Sequence, residues 1–171
     1  MNNTPLPTSS QPGVNPPPVR ITTQQNRRMM VRRARIEHLA LELLRLANAV
    51  RLPVPVDSLW RFPPSDLWPA PIVAQQTIII DPDNPYLPRY VTAREIARAL
   101  GESTWEAQKR LLGDDPLSDD ETHMFAVALL MPTPLFTNLS ERQKQPHIVA
   151  SIFQVPQLLA ENRLRDLGYL K

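Results

Sequence analysis

The chain has no cysteine, which removes disulfides and thiolate metal sites and leaves His38, His123 and His147 as the only neutral nitrogen donors a transition metal would find. No apolar run approaches bilayer-spanning length and no signal-peptide pattern is visible, so a cytoplasmic protein without membrane contact is expected. Carboxylates are missing from the whole opening stretch: Arg20, Arg27, Arg28, Arg32, Arg33 and Arg35 all precede Glu37, the first acidic residue. Over the full length the imbalance disappears. Nineteen Lys plus Arg stand against 17 Asp plus Glu, leaving +2, so any message about partners lies in that local run and not in net charge. The run lacks interleaved aromatics, which sets a nucleic-acid reading behind a solvated or protein-facing one.

What the chain does have is enough apolar material, 42% of 171 residues, for one compact domain with a core. Residues 1–25 stand apart. Pro5, Pro7, Pro12, Pro16, Pro17 and Pro18 among Asn, Ser, Thr and Gln cannot bury a core, and they predict a disordered tail. The triple proline fits a polyproline-binding groove, but a solvated tail is the simpler reading. The remaining domain, residues 26–171, is expected to be α+β and mostly α, with several helices packed on a small β-hairpin or sheet. Ile36, Leu39, Leu43, Leu46 and Val50 recur at helical spacing and make a first buried stripe, with His38 beside it and Pro53 as its stop. Proline then breaks the chain repeatedly, and Leu59, Trp60, Phe62 and Trp68 are expected to pin that stretch to the core. The β-branched runs Ile72-Val73-Ala74 and Thr77-Ile78-Ile79-Ile80, two residues apart, predict the hairpin.

Further on, Ser or Thr followed three residues later by Glu recurs at Thr92 and Glu95, Ser103 and Glu106, and Ser118 and Glu121, the signature of a capping box. The third box opens the most apolar helix, residues 119–131. Met124, Phe125, Ala128 and Leu129 mark its core face, while Asp119 and His123 share another. Gly101, Gly113 and Gly168 mark helix ends. Ile148, Val149, Ile152 and Phe153 make one late stripe, and Leu158, Leu159, Leu164 and Leu167 make the next. Glu161 and Asp166 beside Arg163 and Arg165 speak against a DNA-reading helix there.

Arg94, Glu95 and Arg98 carry the most pointed spacing. Two positions four apart with a glutamate between them is how a helix presents two zinc histidines and a general base. Here both outer positions are arginine, and a guanidinium is always protonated and has no lone pair for a metal.

These motifs fall in an order that resembles the ImmA/IrrE family of zincin-like metallopeptidases over residues 36–170. Ile78-Ile79-Ile80-Asp81-Pro82 looks like the strand before the family's active helix. Arg89-Tyr90-Val91-Thr92-Ala93-Arg94-Glu95-Ile96-Ala97-Arg98 is similar to its Arg-aromatic-x-x-Ala-His-Glu-Leu-Gly-His run. Phe125-Ala126-Val127-Ala128-Leu129-Leu130-Met131-Pro132 is similar to its Phe-Ala-x-x-Leu-Leu-Met-Pro signature, and residues 149–168 resemble its closing pattern. The resemblance aligns the zinc histidines with Arg94 and Arg98, the general base with Glu95, and the third ligand with Asp119. It implies a regulatory setting, since family members cut helix-turn-helix repressors.

The expectation is therefore a catalytically inactive pseudopeptidase without zinc, holding a repressor-like or mobile-element protein through its cleft and through Arg27, Arg28, Arg32, Arg33 and Arg35. Arg94 and Arg98 are expected to fill the zinc position and to pair with Asp119 or Glu121. Two alternatives stay open. One is an active metallopeptidase with a rearranged site of Glu95, Asp119 and His123 that cleaves a repressor. The other is a nucleic-acid-binding accessory subunit that uses the same arginines.

Overall fold

A computed structural model of the chain describes residues 23–69, 84–113 and 116–171. Among the described residues there are eight α-helices and no strand, which corrects the expected α+β class to an all-helical one. The runs expected to form the hairpin, residues 72–80, lie outside the described residues, as does most of the proline-rich tail. The helices are α1 (Thr23–Leu46), α2 (Val56–Arg61), α3 (Leu87–Gly101), α4 (Glu106–Leu112), α5 (Asp119–Leu130), α6 (Thr133–Phe136), α7 (Pro146–Phe153) and α8 (Gln157–Asp166).

Helix α5 is the centre because its sequence is apolar nearly all round. Every residue from Phe125 to Leu130 is buried, so α1 packs on one side of it and α3 on another. α1 contributes Ile36, Leu39, Ala40, Leu43 and Leu44 with no exposed surface, and α3 contributes Ala93, Ile96, Ala97 and Leu100. Side-chain contacts fix the directions. Arg32 of α1 meets Glu121 in the first turn of α5, and Glu37 meets Thr133 just past its end, so these two helices run the same way. Tyr90 and Arg94 of α3 meet His123 and Asp119 in reverse order, so α3 runs against α5.

Ser118 and Glu121 form the expected capping box at α5. The other two boxes do not form. α3 begins at Leu87, leaving Thr92 inside the helix with its hydroxyl donating to the Pro88 carbonyl, and α4 begins at Glu106 with Trp105 as its N-cap. The first stripe also ends sooner than its spacing suggested. α1 stops at Leu46, which is 45% exposed, and Ala49 is buried where Val50 was expected. Trp68 is buried, stacks on Trp60 and donates its indole N–H to the Trp60 carbonyl, whereas Phe62 is 78% exposed and Leu158 66% exposed. Gly113 and Gly168 stop α4 and α8 at positive φ of 81° and 78°, a conformation costly for any residue with a Cβ. Gln154 closes α7 in the left-handed region and turns its carbonyl toward Arg89, which also donates to the Val54 carbonyl.

Candidate functional site

The seam between α3 and α5 holds the residues that the spacing singled out. Arg94 reaches Asp119 with Nη2 to Oδ1 at 3.3 Å, but Asp119 is 89% exposed, so the pair sits in high dielectric. The Arg94 guanidinium lies 6.0 Å from the Tyr90 ring centre, and its buried Nε has no hydrogen-bond partner among the described residues. Arg98 does not cross the seam. It pairs with Glu95 one turn back on its own helix, so the two arginines do not converge on one carboxylate. Glu121 is also engaged elsewhere, accepting from Arg32 at 2.6 Å while it caps its own helix.

His123 lies beside this seam, with Nδ1 2.8 Å from the Tyr90 hydroxyl. Burial, and then the Arg94 charge, hold its pKa below the ordinary histidine value against an opposing pull from Asp120 and Asp166. Glu95, Asp119 and His123 are thus tied to Arg98, Arg94 and Tyr90. Among the described residues no three His, Asp or Glu side chains are gathered closely enough to hold a metal ion. Arg94 and Arg98, the two positions with zinc-histidine spacing, cannot ligate a metal either, because a guanidinium has no lone pair to donate.

A second polar cluster was hidden from the sequence. Arg163 of α8, 2% exposed, donates to both oxygens of Glu37 at 2.7 and 3.2 Å, to the Met131 carbonyl at 3.2 Å and to the Thr133 hydroxyl at 2.9 Å. Thr133 in turn donates to Glu37. Burial works against the Glu37 carboxylate, but the Arg163 hydrogen bonds and charge, with Thr133 and Arg33, outweigh it and hold its pKa below the ordinary value. The cluster joins α1, α8 and the end of α5, and it forms one wall of a narrow cleft that also touches His123 and Asp166. One signal was available. Ala160, Arg163, Leu164 and Leu167 follow the spacing of a buried stripe, and an arginine in such a stripe requires a carboxylate.

The arginines at the start of α1 divide into two groups. Arg32 is taken up by Glu121 and the Leu112 carbonyl, and Arg33 by Asp166 and, at 3.9 Å, Glu37. Arg27, Arg28 and Arg35 are exposed and make no ion pair among the described residues, and Met29, Met30 and Val31 between them are also exposed. No described helix is long and apolar enough to cross a membrane. Compared with known proteins, the chain matches no family model, no curated protein and no solved structure.

Proposed function

We propose that the chain is a non-catalytic, ImmA/IrrE-like regulatory module that holds a protein partner through the exposed start of α1. The observation that carries the non-catalytic half is the fate of the carboxylates on the α3 and α5 seam. Glu95 and Asp119, the groups that would serve as base and ligand, are each occupied by an arginine that has no lone pair to offer a metal. The partner-holding half rests on Arg27, Arg28 and Arg35, which remain at the surface with apolar neighbours after Arg32 and Arg33 are taken up by Glu121 and Asp166. A surface of arginine and methionine suits adaptable protein contacts better than base stacking, which needs aromatics.

Purification without chelator followed by metal analysis tests the first half, together with co-expression of a helix-turn-helix repressor. Substoichiometric zinc and an intact repressor are expected. One zinc per chain, or cleavage that stops in Glu95→Gln, overturns the reading in favour of a peptidase. Charge reversal at Arg27, Arg28 and Arg35 tests the second half and is expected to abolish co-purification of the partner. Binding to a nucleic-acid duplex that weakens steeply with salt and is lost in the same variant replaces the protein partner with a phosphate backbone.

A further inference from the structure

We infer that the occupant of this surface is a second copy of the chain, docked antiparallel so that the exposed start of each α1 lies on the acidic first turn of the other copy's α5. The inference rests on the protein-holding reading just given and names its partner. Among the described residues the first ion pair that ties α1 to the body is at Arg32, and residues 23–31 extend about 13 Å beyond it at the usual helical rise. This extension is a poor helix by itself. It has no acidic residue in its first turn, it carries Arg27 and Arg28 near the positive end of its dipole, and Met29 and Met30 are 53% and 72% exposed. Among the described residues it makes no ion pair, and Met29, Met30 and Val31 leave much of their apolar surface open.

The same end of the molecule offers the complement. Because α1 and α5 run the same way, Asp119 and Asp120 sit level with Arg32, and both are exposed, Asp119 keeping 89% of its side chain open beside its single 3.3 Å contact with Arg94. A two-fold axis passing between Met29 and Met30 sets residue 27 of one α1 beside residue 32 of the other. Arg27 and Arg28 of each copy then come level with Asp119 and Asp120 of its mate, and the methionines meet at the axis. The patches are adjacent on one chain and complementary to each other, which is the condition for a closed isologous pair. Arg32 contributes no repulsion across the axis, since Glu121 already neutralises it.

Sedimentation of the full chain at low and at high salt tests this, with the variant R27E/R28E, the variant D119K/D120K and an equimolar mixture of the two. All four changed residues are exposed, and matching melting curves check that the variants fold. The expected result is a doubled mass at low salt for the parent, a single mass for each variant alone, and a doubled mass again on mixing. A parent that stays a monomer at low salt, or a dimer that survives either reversal, overturns the second-copy inference. If the parent is monomeric but R27E/R28E loses a co-purifying protein, the protein-holding reading stands and only the second copy falls. If the parent neither self-associates nor retains any protein, both fall.

Discussion

Arg163 and Arg94 each cross a helix seam to a carboxylate, and their surroundings differ in every respect that sets an ion pair's worth. Arg163 is 2% exposed, meets both oxygens of Glu37 and places its remaining donors on a carbonyl and a hydroxyl. Arg94 is 28% exposed and makes one 3.3 Å contact with a carboxylate that is 89% exposed. In the first pair Arg163 is desolvated and its donors are saturated, so without its partners it would be a buried charge in low dielectric, while Glu37, 28% exposed, is partly desolvated. The second competes with water for each partner and is screened by salt. The seam that sequence spacing made conspicuous is therefore the weaker of the two, and the stronger lies in a stripe that reads as packing.

The largest expected effect breaks the stronger site. Arg163→Ala should cost about 3–5 kcal/mol in chemical denaturation, since it strands Glu37, while the double change of Arg163→Met with Glu37→Leu should recover most of that loss. A small effect of the single change would place the two sites on the same footing. Leu130→Ala, which opens a cavity at a fully buried position of α5, should cost about 2–5 kcal/mol and calibrates what pure packing contributes beside the ion pair.

Acid sharpens the comparison further. Glu37 has a folded-state pKa below its ordinary 4.5, so its contribution is fully present above 4.5 and is lost as pH falls through the depressed value. His123 also has a lowered pKa, but it is a cation when protonated, and the unfolded chain takes up the proton first. Stability should therefore decline as pH falls through the ordinary histidine value of 6.5 and level off once pH is below the depressed one. Denaturation midpoints against pH should show two separate declines, the upper absent in His123→Asn and the lower reduced in the Arg163→Met, Glu37→Leu variant, where Glu121, despite burial also held below its ordinary value by Arg32 and Ser118, still contributes. The smallest effect is that of Arg94→Ala, less than about 1 kcal/mol at low salt and smaller still as salt is added, because the solvated Asp119 contact is screened. A loss as large as that of Arg163→Ala would refute the contrast.

Much of the helical frame was legible in the chain because periodicity reports burial directly. Ile36, Leu39 and Leu43 on α1 and Phe125, Ala128 and Leu129 on α5 are buried as their spacing required, and Ser118 with Glu121 caps α5 as its motif required. Thr92 misled because a capping pair three residues apart recurs by chance inside a helix, and Leu87-Pro88 upstream offered an earlier start with Pro in the first turn. Phe62 and Leu158 misled because an apolar side chain alone does not say which way it points. At the candidate site, the Arg94 contact with Asp119 follows from placing the two motifs opposite each other, whereas Arg98 turns to Glu95 because a partner one turn away needs no tertiary alignment. The Glu37 and Arg163 pair spans most of the chain, a separation at which local spacing carries no information.

Arg89 joins two stretches of backbone that lie far apart in sequence, the carbonyl of Val54 ahead of α2 and that of Gln154 after α7, through a single guanidinium at the first turn of α3. Such a tie makes local opening cooperative. Amide hydrogen exchange in the two stretches should quicken together when Arg89 is shortened, so that regions a hundred residues apart behave as one unit of native-state fluctuation rather than as independent loops.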